Sequence, residues 1–462
     1  MSHLTSRQRQ FVYLAGILVL MVPIIWLGVP TTTTGSALGI ISQKRIAYGL
    51  GEPNLGKVDP ASSTMNLVLL GMRGVAANLL WMEAEEHKKK KNWSQLDTTV
   101  ESIILLQPHY QKVWEYQAWN LTYNVSAECD AVADRWFWVK KGMKFMIRGT
   151  ARNERVPELY HATGDFFGKK VGRSDEKREF REFWRHDPDT DRWQGGTDEE
   201  INPDKIDDNY LVARQWYQKA NTASKVKGVE QHKMAAPLFE SYPTRSLMDY
   251  AAAMQDEGVF GERTREAWSS AYDEWTGTYG RTEFDTPGGK ITFEATKEEL
   301  AKMSEVDKVP LDQKLEWQDR YQNMVNYRYW KLRCEAEGLS DMADARRAFA
   351  LGRKQFREEQ EMAKAQKTLY DGLEKLQSVA DRYRRPPPDN HSALLTDDDE
   401  LTEEIIKAIL IWQHITRDVL GEPIPEEFPL DEVWNDPNYE SMRNDMSEQF
   451  QRWQGQGVSI GK

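Results

Sequence analysis

The feature that most constrains this chain is Phe11–Val29 (FVYLAGILVLMVPIIWLGV), nineteen consecutive residues with no formally charged side chain. At a rise of about 1.5 Å per residue, a helix of that length matches a hydrocarbon core of about 30 Å. The run therefore predicts a transmembrane anchor at residues 11–29. Pro23 is compatible with it, because membrane helices accept proline where the freed carbonyl finds another partner. Arg7 and Arg9 precede the run, while Lys44 and Arg45 follow it closely enough to count in the positive-inside rule. The expected orientation leaves residues 1–10 as a cytoplasmic tail and exports residues 30–462. Gly35-Ser36-Ala37 keeps removal by a signal peptidase open, although a cleaved apolar region usually spans only about 7–15 residues.

A second apolar run, Met65–Met82, carries one charge, Arg73. An arginine at the centre of a span costs about 2.5–3.5 kcal/mol on insertion scales, and Gly71 and Gly74 weaken an isolated helix. A helix buried in a soluble domain is the better expectation there.

Beyond the anchor and a Gly/Pro-containing linker at 30–60, apolar residues recur at three- and four-residue spacings, which predicts an all-α fold. Seventeen Trp, 18 Tyr and 15 Phe supply enough bulk for a large core. A net charge of −12, from 73 acids against 61 bases, would repel a phosphate backbone and argues against nucleic acid as a partner. Two cysteines, Cys129 and Cys334, exclude a disulfide-rich scaffold, a four-cysteine zinc site and a c-type haem attachment.

Helices paired at a fixed period would decide the architecture. A period of about 34 residues is visible in two adjacent windows, from Ala77 and from Gln111, matching a tetratricopeptide template. In the first window Leu80, Ala84, Leu96, Val100, Ile103 and Pro108 stand where a helical hairpin needs large, small and turn residues; in the second, Trp114, Ala118 and Leu121 do. Ala84 and Ala118 would allow close helix approach, and Ser94 with Asp97 resembles a capping box for the second helix. Phase is lost afterwards, though further helices are predicted at Pro157–Lys170, Tyr210–Ala220, Arg245–Glu257, Glu262–Trp275, Leu315–Glu337, Asp341–Gln360, Ala363–Tyr383 and Leu401–Leu420. The expected organisation is tetratricopeptide-like hairpins over 61–185, a polar insertion loop at 186–208, and helical hairpins over 209–383 with a short β-hairpin near 284–295. A linker at 384–400 and a C-terminal helix with a proline-rich tail at 401–462 complete it.

The strings Gly71-Met-Arg-Gly-Val-Ala-Ala-Asn-Leu-Leu-Trp81, Leu106-Gln-Pro-His-Tyr110, Val113-Trp114 and Gln117-Ala-Trp-Asn-Leu121 resemble a functionally uncharacterised group of bacterial, membrane-anchored proteins with tetratricopeptide-like helices. The likeness covers the anchor and roughly residues 59–185. It implies a helical interaction scaffold and brings no catalytic residues; the anchor and its expected orientation place the chain in the inner membrane with its bulk on the periplasmic side.

Several short motifs invite chemistry. Asp187, Asp189 and Asp191 alternate, and Asp198 falls twelfth from Asp187, as calcium ligands of an EF-hand loop do. Arg192 stands where the tight turn needs glycine, and Asp198 is shorter than the glutamate that normally closes the loop, so a solvated acidic loop competes with the calcium reading. Glu158 and His161 make one Glu-x-x-His pair where a di-iron bundle needs two. His87–Lys91 (HKKKK) reads as a solvated helix end, with attraction to anionic lipid as the functional alternative.

The aromatic set Trp114, Tyr116, Trp119 and Tyr123 cannot all face one core stripe. Trp114, Tyr116, Asn120 and Tyr123, with Trp138 nearby, are therefore the candidates for a groove that holds a protein or peptide partner. The expected function is a membrane-anchored helical scaffold without catalysis or cofactor. The competing expectation is an envelope hydrolase or calcium-dependent enzyme built around the 187–198 loop.

Overall fold

The computed structural model describes Gly16, Val19, Leu20 and residues 73–226, 233–386, 392–396 and 398–456. The predicted anchor at 11–29 lies outside the described residues apart from Gly16, Val19 and Leu20, which are helical. Among the described residues no helix is long and apolar enough to cross a membrane. The chain divides into two compact units, one of Met1–Thr163, Glu199–Pro203 and Val226–Val229, the other of Gly164–Asp198, Asp204–Lys225 and Glu230–Lys462.

The first unit contains two helix pairs. Helix α1 (Arg73–Lys89) packs along α2 (Trp93–Leu106), and α3 (Gln111–Trp119), prolonged by a π-helical stretch Asn120–Val125, packs along α4 (Val132–Arg152). The residues expected at close-packing positions are buried: Ala84, Leu96, Val100, Ile103, Trp114, Ala118 and Leu121, with Leu80 half-buried. Small residues set the α3–α4 spacing, since a Cβ on Gly142 would meet the Ala118 carbonyl oxygen at 2.8 Å. The capping box expected at Ser94 is absent. Helix α2 begins at Trp93, so Ser94 lies inside it, and Asp97 instead accepts from Lys141 Nζ at 3.0 Å and Gln117 Nε2 at 3.4 Å.

Helix α5 (Pro157–Asp165), which belongs to the first unit as far as Thr163, continues in the second unit as the π-helical stretch Phe166–Val171, which packs on α8 (Asn209–Ser224). Between them lie α6 (Lys177–Arg185) and the single turn α7 (Thr190–Trp193). Asp208 caps α8 by accepting from the Tyr210 N–H at 2.8 Å. Next come α9 (Ala236–Asp256) and α10 (Glu262–Asp273, extended by Glu274–Tyr279). The predicted β-hairpin is present: β1 (Phe284–Thr286) pairs antiparallel with β2 (Gly289–Ile291), in a register that sets Phe284 opposite Ile291. Both side chains enter a core with Trp275, Tyr279, Phe293 and Tyr327. Gly289 sits at φ +81 in the turn, the left-handed region that glycine tolerates.

Three expectations are corrected here. Leu315–Glu337 is not one helix but two, α12 (Leu311–Met324) and α13 (Tyr327–Glu337), preceded by α11 (Lys297–Asp307) with its Thr296/Glu299 capping box. Asn326, in left-handed conformation at φ 51, makes the break. The 384–400 segment, expected as a linker, carries α16 (Ala393–Thr396), with Leu394 and Leu395 buried. The tail is more than proline-rich coil. After α14 (Ser340–Lys354), α15 (Met362–Arg382) and α17 (Asp399–Gln413), it forms α18 (Asp431–Asn435) and α19 (Glu440–Gln456). Met442, Met446 and Phe450 hold α19 against a second core built on Leu369, Leu373, Ile405, Ile409 and Trp412, and their four-residue spacing explains why this polar segment is helical.

Candidate functional site: an aromatic helix face

The five groove candidates do not share one environment. Trp114 is completely buried, its Nε1 donates to the Pro108 carbonyl at 2.9 Å, and its ring rests on Gly149, where a Cβ would come within 2.9 Å. It is a core wedge between α3 and α4, so its groove assignment is withdrawn. Asn120 is also fully buried, with Oδ1 accepting from Asn124 Nδ2 at 2.8 Å, and cannot meet a partner. The helical period explains both: Trp114, Ala118 and Leu121 fall on the side of α3 that meets α4, and the close approach there encloses Asn120 as well.

Tyr116 and Tyr123 lie on the other side and are only half-buried, next to Trp119, which is 47% exposed. Trp119 and Tyr123 stack at 5.9 Å. Tyr116 reaches α1, where it meets Trp81 edge-on at 5.4 Å, donates its hydroxyl to Glu85 Oε1 at 2.7 Å, and lies under Lys88 Nζ at 4.9 Å. Burial, reinforced by the hydrogen bond to the Glu85 carboxylate, pushes the Tyr116 hydroxyl well above its ordinary pKa. It therefore stays a neutral donor at any physiological pH and offers no general base. Trp138 stands on α4, half-buried, with Phe137 edge-on at 5.5 Å and Lys141 Nζ over its ring at 4.9 Å. Both contacts are with residues of α4 itself and not with the α1–α3 face. The sequence singled out Tyr116 and Tyr123 but missed Trp81, Glu85 and Lys88, whose spacing on α1 matches that of the tyrosines on α3.

The acidic loop separates its four candidate ligands. Asp187 and Asp198 are buried and Asp189 and Asp191 are exposed. Asp187 Oδ1 accepts from the Asp189 N–H at 3.0 Å, and Asp189 caps α7 through the Arg192 N–H. A hard cation needs six or more converging oxygens, and two buried and two exposed carboxylates do not supply such a set. Among the described residues no group of three or more His, Cys, Asp or Glu side chains is placed to hold a metal ion. The EF-hand reading of Asp187, Asp189, Asp191 and Asp198 is thereby corrected. Both cysteines are free thiols.

Sequence patterning gave no sign of the ion networks inside the second unit. Arg181 donates to Asp208 at 2.8 Å, Asn209 at 2.6 Å and Glu257 at 2.7 Å. Glu337 is buried against Arg346, which also pairs with Glu404, while Gln255 donates to Glu337 at 2.8 Å. Each of these charges has a partner, as burial of ions requires, so these groups read as structural ties. Comparison with protein families, with curated proteins and with solved structures finds no match for this chain.

Proposed function

We propose that this protein is a membrane-anchored, tetratricopeptide-like scaffold that binds another protein at the cell envelope and performs no catalysis. The observation that supports this most is the α1–α3 face, where Trp81, Tyr116, Trp119 and Tyr123 present aromatic area beside Glu85 and Lys88. Rigid aromatic side chains next to fixed charges are the composition expected of a protein-binding surface, because they bury much area with little loss of rotamer freedom. Exposed large apolar side chains also concentrate in the first unit, with Val75, Leu79, Met82, Tyr110, Trp119 and Phe137 each more than 40% accessible. Among the described residues of the second unit, only isolated valines, a methionine and a leucine are exposed to a similar degree.

The proposal includes the anchor at 11–29 and export of residues 30–462. In-cell cross-linking of the full-length protein, followed by detergent extraction and mass spectrometry, tests it. A near-stoichiometric protein captured by the wild type and lost from Tyr116→Ala/Tyr123→Ala, with the circular dichroism spectrum unchanged, is the expected result. Recovery of the chain alone, or equal capture by the double variant, would count against it. Protease protection in spheroplasts tests the exported orientation separately.

A further inference from the structure

The polar attachment of the C-terminal segment to the second unit stops at Tyr439. Up to that point the chain is tied down: Leu430 and Val433 are buried, the Leu430 N–H donates to Gln377 Oε1 at 2.8 Å, Glu432 pairs with Arg384 at 2.8 Å, and the Tyr439 hydroxyl donates to the Leu395 carbonyl. Beyond it, among the described residues, the side chains of 440–452 make hydrogen bonds and ion pairs only within α19 or to the Asp436 carbonyl just before it. None of residues 440–452 is buried, whereas Leu401, Ile405, Ile409 and Trp412 of α17, on which α19 packs, all are.

What holds α19 is one apolar row. Met442, Met446 and Phe450 are half-buried, and at about 100° per residue they fall within about 80° of one another. Phe450 enters a notch between Phe356, on the π-helical turn Gln355–Glu359 that ends α14, and His414, on the stretch His414–Val419 that ends α17, with ring centroids 6.2 and 5.4 Å away. His414 is fixed there by its Nδ1, 2.9 Å from Asp418 Oδ2, so the notch is built by other elements of the second unit and not by α19 itself. The remaining surface of α19 is charged and exposed, through Glu440, Asp445, Glu448 and Arg452.

We propose that α19 is a detachable strap over a helix-binding strip, which it fills in cis and yields to a partner's amphipathic helix bearing large apolar side chains at positions i, i+4 and i+8. The occupant in place states the chemistry the strip accepts: a helix read through one row of anchors, the last of them aromatic. Local opening is drawn from segments with few buried apolar contacts and many solvent-exposed backbone hydrogen bonds, and α19 has both, while Leu430 and Val433 keep its hinge attached. A helix of this length is marginal in water once its packing is lost, so undocking and unfolding of α19 occur together. The strip is uncovered only in the opened fraction of molecules, which lowers a partner's apparent affinity by that fraction. It belongs to the second unit and the aromatic face to the first, so the two are separate sites.

Hydrogen exchange of the full-length protein, read by mass spectrometry, tests release of the strap. Amides of 440–452 should exchange at least about 100-fold faster than those of 401–412 in α17, yet slower than a free peptide of the same sequence. Met446→Ala/Phe450→Ala should bring 440–452 to the free-peptide rate and leave α17 unchanged. Binding is tested on the same full-length proteins with a fluorescent synthetic peptide of residues 440–456, followed by anisotropy. The double variant should bind it at least about tenfold more tightly than the wild type, whose strip is occupied, and neither should bind the peptide carrying Phe450→Ala. Exchange of 440–452 at the α17 rate, equal acceleration of both helices in the variant, equal peptide binding by variant and wild type, or no binding by the variant would each overturn the proposal. Tyr116→Ala/Tyr123→Ala should change neither readout, so failure of the strap and failure of the aromatic face are distinguishable.

Discussion

Gly142 of α4 lies directly over Thr122 of α3: a Cβ placed on the glycine would stand 2.0 Å from the threonine hydroxyl oxygen, a separation no side chain can keep. The Ala118 carbonyl oxygen, at 2.8 Å from the same point, is backbone and cannot turn aside. The second helix pair of the first unit is thus set by the absence of one methyl group. Gly142→Val should force α3 and α4 apart and destabilise this unit by about 2–3 kcal/mol, the usual cost of overpacking a close contact. Urea unfolding of the variant beside the wild type would show it; an unchanged midpoint would mean that the helices separate at no cost.

Trp114 and Tyr123 are nine residues apart on one continuous helical stretch, yet they should respond very differently to truncation. Trp114→Ala removes a fully buried ring and its hydrogen bond to the Pro108 carbonyl, an expected loss of about 3–5 kcal/mol. Tyr123→Ala removes a half-buried ring that stacks on a partly exposed tryptophan, with an expected loss of about 1 kcal/mol or less. Thermal melts of the two variants measured together distinguish core from surface; comparable losses would place Tyr123 in the core and weaken the case for the aromatic face.

The difference between those residues also marks how far the sequence could be read. The first helix pairs were legible because Ala84, Ala118, Leu96, Val100 and Ile103 repeat at the spacing of two packed helices, and each of them is buried. The β-hairpin was legible because Pro287-Gly288-Gly289 announces a turn between alternating residues. Four aromatic residues distributed around α3 carry no such signal, since only the neighbouring helix decides which are enclosed. Gly149, the contact that seals Trp114, is 35 residues downstream. The break between α12 and α13 was hidden for a different reason: Asn326 adopts φ 51 without the glycine that usually advertises that conformation. Of the candidate site, the tyrosines were readable and their partners Trp81, Glu85 and Lys88 were not, because pairing across helices depends on tertiary geometry.

The segment before α17 gives a sharp comparison between composition and packing. Its proline and aspartate content suggests an exposed connection, whereas Leu394 and Leu395 are 3% and 5% exposed, and Tyr439 donates its hydroxyl to the Leu395 carbonyl at 3.0 Å. Leu395→Ala should therefore lower the stability of the second unit by about 2–3 kcal/mol. An extended, unpacked connection would give a change close to zero, and limited proteolysis near this segment would accelerate in the variant only if the packing is real.

Glu337 should make the second unit sensitive to acid in a way that a single substitution can isolate. Burial disfavours its charged form, but the Arg346 guanidinium, with Arg333 and the Gln255 amide, holds its carboxyl below the usual glutamate value of 4.5. A carboxyl whose pKa is lower folded than unfolded contributes stability that is fully present above the unfolded value and lost as pH falls through the folded one. Glu337→Gln abolishes the charge while keeping the shape, leaving Arg346 with Glu404 as its remaining carboxylate partner. At pH 7 the variant should be less stable than the wild type by about 3 kcal/mol, the lower end of what breaking a buried ion pair costs. Below pH 4.5 the gap should narrow, because the wild-type carboxyl is then taking up the proton that the variant never had to bind. Urea midpoints for both proteins across this range provide the measurement, and a gap that stays constant from neutral to acid pH would show that the Glu337–Arg346 pair does not carry the difference.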